Sequence, residues 1–317
     1  MSSRSSVLTW TLAAVLLAAG VIPIVIPSMA TLVVLILAKG IVVLGIIILL
    51  QAGQVSFGHA MFFGAGAYTA GFWGKYLGVG DLMAYLVVGT VVATILGLLV
   101  GLFVVRYREI FFGMLNLAFS MVLWSLLEKM FHLTNGADGM RVPRPTVFGM
   151  TFSPDNFQYV LLYLTLAIAI AATFAVQRFL ESPTGNMLRA IKSNETRLEY
   201  LGVSARRILL IGYVISAALG GIGGVLVAVA QQIATPEFAY WTKSGEFVFI
   251  AILGGVGNAL GAFAGSAVFE LVRFYASAQL ANSWQLILGV VLIVIILFAP
   301  NGLIGLWKRE RAARDES

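Results

Sequence analysis

Few side chains in this sequence are suited to chemistry, and they fall in a handful of places. Gln51, Gln54, Ser56 and His59 lie close together, with Gly53 and Gly58 among them. In hydrocarbon, a polar, glycine-broken stretch of this kind is tolerated only where it faces protein or a watery cavity. If Ser56 caps a short helix, the free N–H groups of that helix favour a carboxylate. Gln54, Ser56 and His59 are therefore candidate contacts for a solute that carries a carboxylate. The other reading is a structural break or a turn at the membrane surface. Asn116 and Ser120 are four residues apart and share a helix face. They either line the same path or hydrogen-bond to a neighbouring helix. This is the chemistry of binding rather than of bond-making. The sequence has no cysteine and only two histidines, His59 and His132. It therefore offers no thiolate nucleophile and no basis for a metal site.

Lys39, Glu270 and Arg273 are the ionisable residues deepest in apolar runs. Each needs a partner or water there, because a bare charge in hydrocarbon is expensive. Glu270 and Arg273, three apart, can pair within one helix, whereas Lys39 has no obvious local partner. A structural pair between helices and a transport role are equally compatible with these positions.

The elements that must position these groups follow from composition. Hydrophobic residues make up 60 % of the 317, and charged residues only 11 %, against about 25 % in a typical soluble domain. Mean hydropathy is +0.97. A soluble fold of this length lacks the polar groups to cover itself, which excludes a soluble enzyme, a disordered chain and most nucleic-acid binders. The composition predicts an all-α polytopic membrane bundle forming one domain over residues 1–317, with no nucleic-acid partner. Runs of about 20 apolar residues lie near 7–27, 30–50, 82–105, 110–131, 157–180, 206–230, 260–279 and 284–304. Stretches near 55–74 and 243–258 are shorter or glycine-rich, and read as tilted, broken or re-entrant segments. The expectation is eight spans, or about ten with the two short ones. The run from Val7 exceeds a usual signal core and reads as an uncleaved first helix.

Twenty Lys+Arg against fourteen Asp+Glu give a net charge of +6. Half of the basic residues fall in 178–207 and in the tail, at Lys308, Arg309, Arg311 and Arg314. The positive-inside rule assigns both segments to the cytoplasm. Ten crossings then place Arg4 and the Arg106/Arg108 loop inside too, the C-terminus inside, and 132–156 outside. That outer segment is rich in glycine and proline, and reads either as a solvated loop or as a contact surface on the outer face.

Residues 181–205 are the most informative stretch. Ser182 before Pro183 reads as a helix N-cap with proline at the first helical position. Asn194 before Glu195 reads as a second start, with an acid where the helix dipole favours it. Gly202 fits a C-terminal stop, and Ser204 fits a cap for the next membrane helix. Two short helices outside the membrane follow. Leu198 and Leu201 are three apart beside Tyr200 and would form a small apolar face, with Glu195, Arg197 and Glu199 supplying charge. Such a helix either docks on a partner or lies in the headgroup layer.

Ser182-Pro183-x-Gly185-x-x-x-Arg189-Ala190-Ile191, then Asn194-Glu195 and Glu199-x-Leu201-Gly202, resembles the cytoplasmic "EAA" loop of permeases of branched-chain amino acid ABC transporters, the LivM type. Gly53-Gln54-Val55-Ser56-Phe57-Gly58-His59-Ala60, running on to Gly64–Ala70, resembles the early signature of that family. Gly254-Gly255-Val256-Gly257-Asn258 to Gly261 resembles its late one, and Phe298–Trp307 its C-terminal end. The similarity spans most of the chain. Tyr200 departs from it, standing where the family often has a small residue.

The resemblance implies a permease subunit of an ABC importer in a bacterial inner membrane. It implies that 181–205 is a coupling segment docking on ATP-binding subunits through Arg189, Glu195, Leu198, Glu199, Leu201 and Gly202. ATP and Mg would belong to those subunits, and this chain would carry no cofactor. No G-x-x-x-x-G-K-[ST] occurs, Gly74-Lys75 being the nearest fragment. A second permease and a periplasmic substrate-binding protein are the other implied partners. The implied cargo is a branched-chain or related amino acid. Urea, a short amide or a carboxylate fits the same family, and an ion-driven secondary transporter or a membrane scaffold are rivals from other classes. Gly257, Gly261 and Gly265, four apart, share one helix face and favour close helix packing over a nucleotide loop. Gly220-Gly221-Ile222-Gly223-Gly224 reads as close packing or as a flexible point.

Overall fold

A computed structural model describes residues 29–256, 259–279, 284–298 and 302. The expected first span at 7–27, Gly257 and the basic tail lie outside the described residues. Among the described residues, ten helices carry the fold: α1 (Ala30–Gln51), α2 (His59–Tyr76), α3 (Leu82–Val104), α4 (Glu109–Lys129), α5 (Pro154–Glu181), α6 (Pro183–Tyr200), α7 (Ala205–Gln231), α8 (Trp241–Gly254), α9 (Ala259–Gln279) and α10 (Trp284–Phe298). Among the described residues, α1, α3, α4, α5, α7 and α9 are the six long and apolar enough to cross a membrane. The chain is thus a polytopic helical bundle, as its composition predicts. The two short apolar stretches are short helices, α2 and α8.

Helices α1 and α7 form the centre. They pack on each other, α2 and α3 pack on α7, and α8 and α9 pack on α1. Each half of the bundle repeats one order: a long helix, a return without α-helix, a short helix, a long helix. Helix α1 ends and α7 begins beside α6, where Gly53 lies against Lys192 and Gly212 against Leu188, so the central pair is antiparallel. The returns bring the short helices to start inside the bundle rather than at its edge. Gly58, just before α2, sits against the backbone of Asn116 within α4. Phe238, just before α8, packs its ring at a tilt against Phe63 of α2.

Glycines make this closeness available. A Cβ on Gly220 would lie 2.9 Å from Phe62, and one on Gly224 would enter the Phe63 carbonyl, both on α2. One on Gly221 would lie 3.0 Å from the Gly89 carbonyl of α3, and one on Gly223 2.8 Å from the Ala38 carbonyl of α1. Four glycines of a single continuous helix therefore seat three others, which is how small residues drive helix association in a membrane. Between α8 and α9, a Cβ on Gly261 would lie 2.5 Å from the Gly255 carbonyl, and one on Gly265 2.8 Å from the Gly254 nitrogen.

Lys39 has partners that the sequence does not suggest. Its ammonium pairs with Glu270 of α9 and lies 3.5 Å from Glu246 of α8. The Glu270–Arg273 pair within α9 also forms, at 3.9 Å.

At the end opposite α6, residues 130–153 are ordered by local bonds. Strand β1 (Met140–Arg141) pairs antiparallel with β2 (Ile233–Ala234). Lys75 donates to the carbonyls of His132 and Leu133 at 3.2 and 2.9 Å, and His132 lies in the single helical turn Phe131–Thr134. Asp81 caps α3, accepting from the Met83 amide at 2.9 Å, and its other oxygen accepts from the Gly149 amide at 3.0 Å. Asp81→Ala is expected to lower stability by about 1 kcal/mol, the typical worth of such a cap. Hydrogen exchange should quicken at residues 83 and 149, and unchanged exchange there would show that the carboxylate does not hold this loop.

Candidate transport core and coupling surface

The first turns of α2 and α8 meet in the middle of the bundle. The Ala60 amide donates to Ser244 Oγ at 2.8 Å. Ser56 does not cap α2, as the sequence suggests it would. The chain turns between Ser56 and His59, and Ser56 Oγ reaches only the Gly58 amide, at 3.3 Å. A hydroxyl from the other short helix therefore takes the N–H.

His59 opens α2 and is fully buried. Its Nε2 shares a hydrogen bond with Ser216 Oγ of α7. Among the described residues, His59 Nδ1 has no hydrogen-bond partner. One turn earlier on α7, the Tyr213 hydroxyl donates to Asn116 Oδ1, and Asn116 Nδ2 donates to the Phe112 carbonyl at 2.8 Å. Ser120 Oγ donates to the Ala239 carbonyl at 2.8 Å, fixing α4 to the segment before α8. Phe62 and Phe112 present edges to the Tyr213 ring. Ser56, His59, Asn116 and Ser120 thus lie on neighbouring elements around Ser216, Tyr213 and Ser244, which sequence reasoning missed. The available signal was the pair Tyr213 and Ser216, three apart in an apolar run and so on one helix face.

Gln54 stands apart, at the α6 end. Its Oε1 accepts from the Glu109 amide at 2.8 Å, capping α4 where Glu109 has a positive φ of 50°. All five candidate path residues are buried, and all five are hydrogen-bonded within the chain. Chemically, this arrangement ties short helices to long ones. No group of three or more His, Cys, Asp or Glu able to hold a metal occurs among the described residues.

The second feature is α6 with the turn after it. Ser182 Oγ accepts from the Gly185 amide at 3.3 Å, and Pro183 takes the first helical position. Asn194 leaves helical geometry at φ −165°, and its Oδ1 accepts from the Arg197 amide at 2.9 Å. Two short helices with the expected starts result. Gly202, at φ +80°, ends the second, a conformation that favours glycine. Ser204, in contrast, makes no side-chain cap on α7.

The six residues picked from the sequence divide into two sets. Arg189, Glu195 and Leu198 hold α6 to the bundle. Arg189 Nη2 donates to the Leu180 carbonyl at 2.7 Å. Glu195 takes a two-pronged bond from Arg108, Nε to Oε2 at 2.7 Å and Nη2 to Oε1 at 2.6 Å. Arg108 also donates to the Val105 and Tyr107 carbonyls, which locks the α3–α4 turn against α6. Leu198 is 6 % exposed, and Gly185, Leu188 and Ile191, ahead of the break at Asn194, are buried as well. Glu199, Leu201 and Gly202 protrude with Tyr200. Leu201 is 75 % exposed and Tyr200 87 %. Leu198 and Leu201 therefore do not share an apolar face. The helix ends at Tyr200, so the three-residue spacing no longer maps to one side, and the Val203 amide turns back to the Leu198 carbonyl.

Residues 28–297 match the family described as "Branched-chain amino acid transport system / permease component". The high-affinity branched-chain amino acid transport system permease protein LivM of Escherichia coli K12 is 28 % identical over 278 residues, covering 80 % of this chain and 64 % of its own length. A probable LivM permease of Methanocaldococcus jannaschii is 26 % identical over 240 residues, covering 69 % of this chain and 68 % of its own. The LivH permease protein of Escherichia coli K12 is 25 % identical over 154 residues, covering 48 % of this chain and 49 % of its own. This chain thus spans about 64 % of the length of the Escherichia coli LivM. No solved structure matches it. With most of its length matched, the chain belongs to the family of branched-chain amino acid transport system permease components.

Proposed function

We propose that this chain is the membrane-spanning permease subunit of an ABC importer for branched-chain or related amino acids. ATP and Mg are bound and hydrolysed on separate subunits, and this chain has no ATP site of its own. A second, related permease completes the membrane unit, and a periplasmic binding protein delivers the cargo. The α6 end faces the cytoplasm of a bacterial inner membrane, as does the C-terminus, because basic residues concentrate there. The observation that carries the reading is the patch Glu199-Tyr200-Leu201. It combines a charge with two large exposed apolar side chains on a segment fixed by the Arg108–Glu195 fork. A charged, apolar tip on a rigid base is what docking into a partner's groove requires. Family membership supports the cargo class through the names of the relatives.

Affinity purification from native membrane in mild detergent tests this. An ATP-binding subunit and a related permease should co-purify, and liposomes holding the complex should take up labelled leucine only with ATP and the binding protein. Uptake by the chain alone, without ATP, would replace this reading with a secondary transporter. Uptake of urea or a short amide in place of leucine would keep the transporter and change the cargo.

A further inference from the structure

A line of alternating charges crosses the bundle interior. Its order is Lys243, Glu246, Lys39, Glu270, Arg273. Lys243 Nζ reaches both oxygens of Glu246, at 3.0 and 3.1 Å. Lys39 Nζ lies 3.5 Å from Glu246 and pairs with Glu270, and Arg273 Nη1 lies 3.9 Å from Glu270. Lys39 is 4 % exposed and Glu270 3 %. The Phe269 ring covers Lys39 at 5.4 Å.

Cohesion alone is a poor reason for this cluster. Buried ions carry a large desolvation penalty, and well-packed apolar residues often hold helices as well or better. The placement points elsewhere. Lys39 sits on α1, Lys243 and Glu246 on the first turns of the short helix α8, and Glu270 and Arg273 on α9. Helix α1 also grips the other end of α8, where Gln51 Nε2 donates to the Val256 carbonyl at 3.0 Å. Two residues after Gln51, Gly53 packs on Lys192 of α6. The α6 segment thus touches the end of α1, and α1 holds α8 near both of its ends. Within the cluster, Lys39 serves carboxylates on two helices and Glu246 serves two ammonium groups. If α8 shifts against α1, Glu246 leaves Lys39 and keeps Lys243, while Lys39 keeps Glu270. No charge is left bare in the interior.

We propose that Lys39 is a positioning residue for transport. Through Glu246 it sets where α8 stands against α1 and α9, and the shared pairing lets α8 move when α6 is pushed. It does not touch the cargo. The inference rests on the transport reading above.

Glu246→Gln removes the ionic link from Lys39 to α8 and turns the Lys243 ion pair, within α8 itself, into a neutral hydrogen bond, and it leaves the buried Lys39–Glu270 pair. In the complete complex it should assemble and hydrolyse ATP at the resting rate of the wild type. ATP-driven uptake of labelled leucine should fall at least tenfold. Lys39→Met alone should fail to assemble, because Glu270 loses its nearest cation. Lys39→Met with Glu270→Gln should recover assembly but not uptake. Wild-type uptake by Glu246→Gln would overturn the inference, as would wild-type uptake by the double variant. Failure of both to assemble would make the cluster purely structural and overturn it too. A wild-type complex without ATP-driven uptake would instead sink the transport reading.

Discussion

Glu199→Lys is expected to abolish ATP-driven uptake while leaving the chain folded and inserted. Glu199 is exposed, and no hydrogen bond or ion pair forms at its side chain among the described residues. Surface substitutions of this kind usually change stability by no more than about 0.5 kcal/mol. Its neighbours Tyr200 and Leu201 are the most exposed large apolar groups on the segment. A reversed charge on that patch opposes docking, and like charges brought together at an interface cost several kcal/mol. A penalty of about 3 kcal/mol lowers the docked population roughly a hundredfold, at 1.4 kcal/mol per factor of ten. The readouts are uptake in liposomes and co-purification of the ATP-binding subunit. Normal values for both would remove Glu199 from the docking surface. Glu195→Lys makes the informative contrast, because it breaks the Arg108 fork inside this chain. It should loosen α6 itself, and Arg108→Glu in the same chain should restore the pair.

Gly224→Val is expected to prevent stable assembly. A Cβ there runs into the Phe63 carbonyl, whose carbon would lie 2.8 Å away, and backbone cannot rotate aside as a side-chain tip can. Overpacking of a well-filled core typically costs about 1–3 kcal/mol. Here the contact is with main chain, and α7 is wedged between α1, α2 and α3, so the effect should reach or exceed the top of that range. Yield on size exclusion and the thermal midpoint in detergent measure it. Gly245→Ala is the control. Nothing lies within 4 Å of a Cβ at Gly245, and alanine is the better helix former by about 1 kcal/mol. A midpoint as high for Gly224→Val as for that control would show that α7 and α2 do not approach as described.

Most of what could be read directly from this sequence is set locally or by the bilayer. Membrane thickness fixes how many apolar residues a crossing needs, so the long helices stand out as runs of that length. Ser182 with Pro183, Asn194 and Gly202 mark helix ends through contacts or backbone angles within one turn, and all three act as their types predict. The motifs that resemble the LivM type carried the family for the same reason, since they are contiguous. Where the two short stretches begin was not legible. The N-terminal N–H of α2 at Ala60 is taken by Ser244, 184 residues away. Lys39 shows the same limit. No residue near it in sequence could serve, and its partners lie 207 and 231 positions on. Leu201 shows another, because helical spacing predicts a shared face only while the helix continues, and Gly202 ends it. Spans and caps are decided by the chain's own geometry against a slab of known thickness. The partners of a polar group inside the bundle are decided by which helices close on one another, and that is a property of the whole fold.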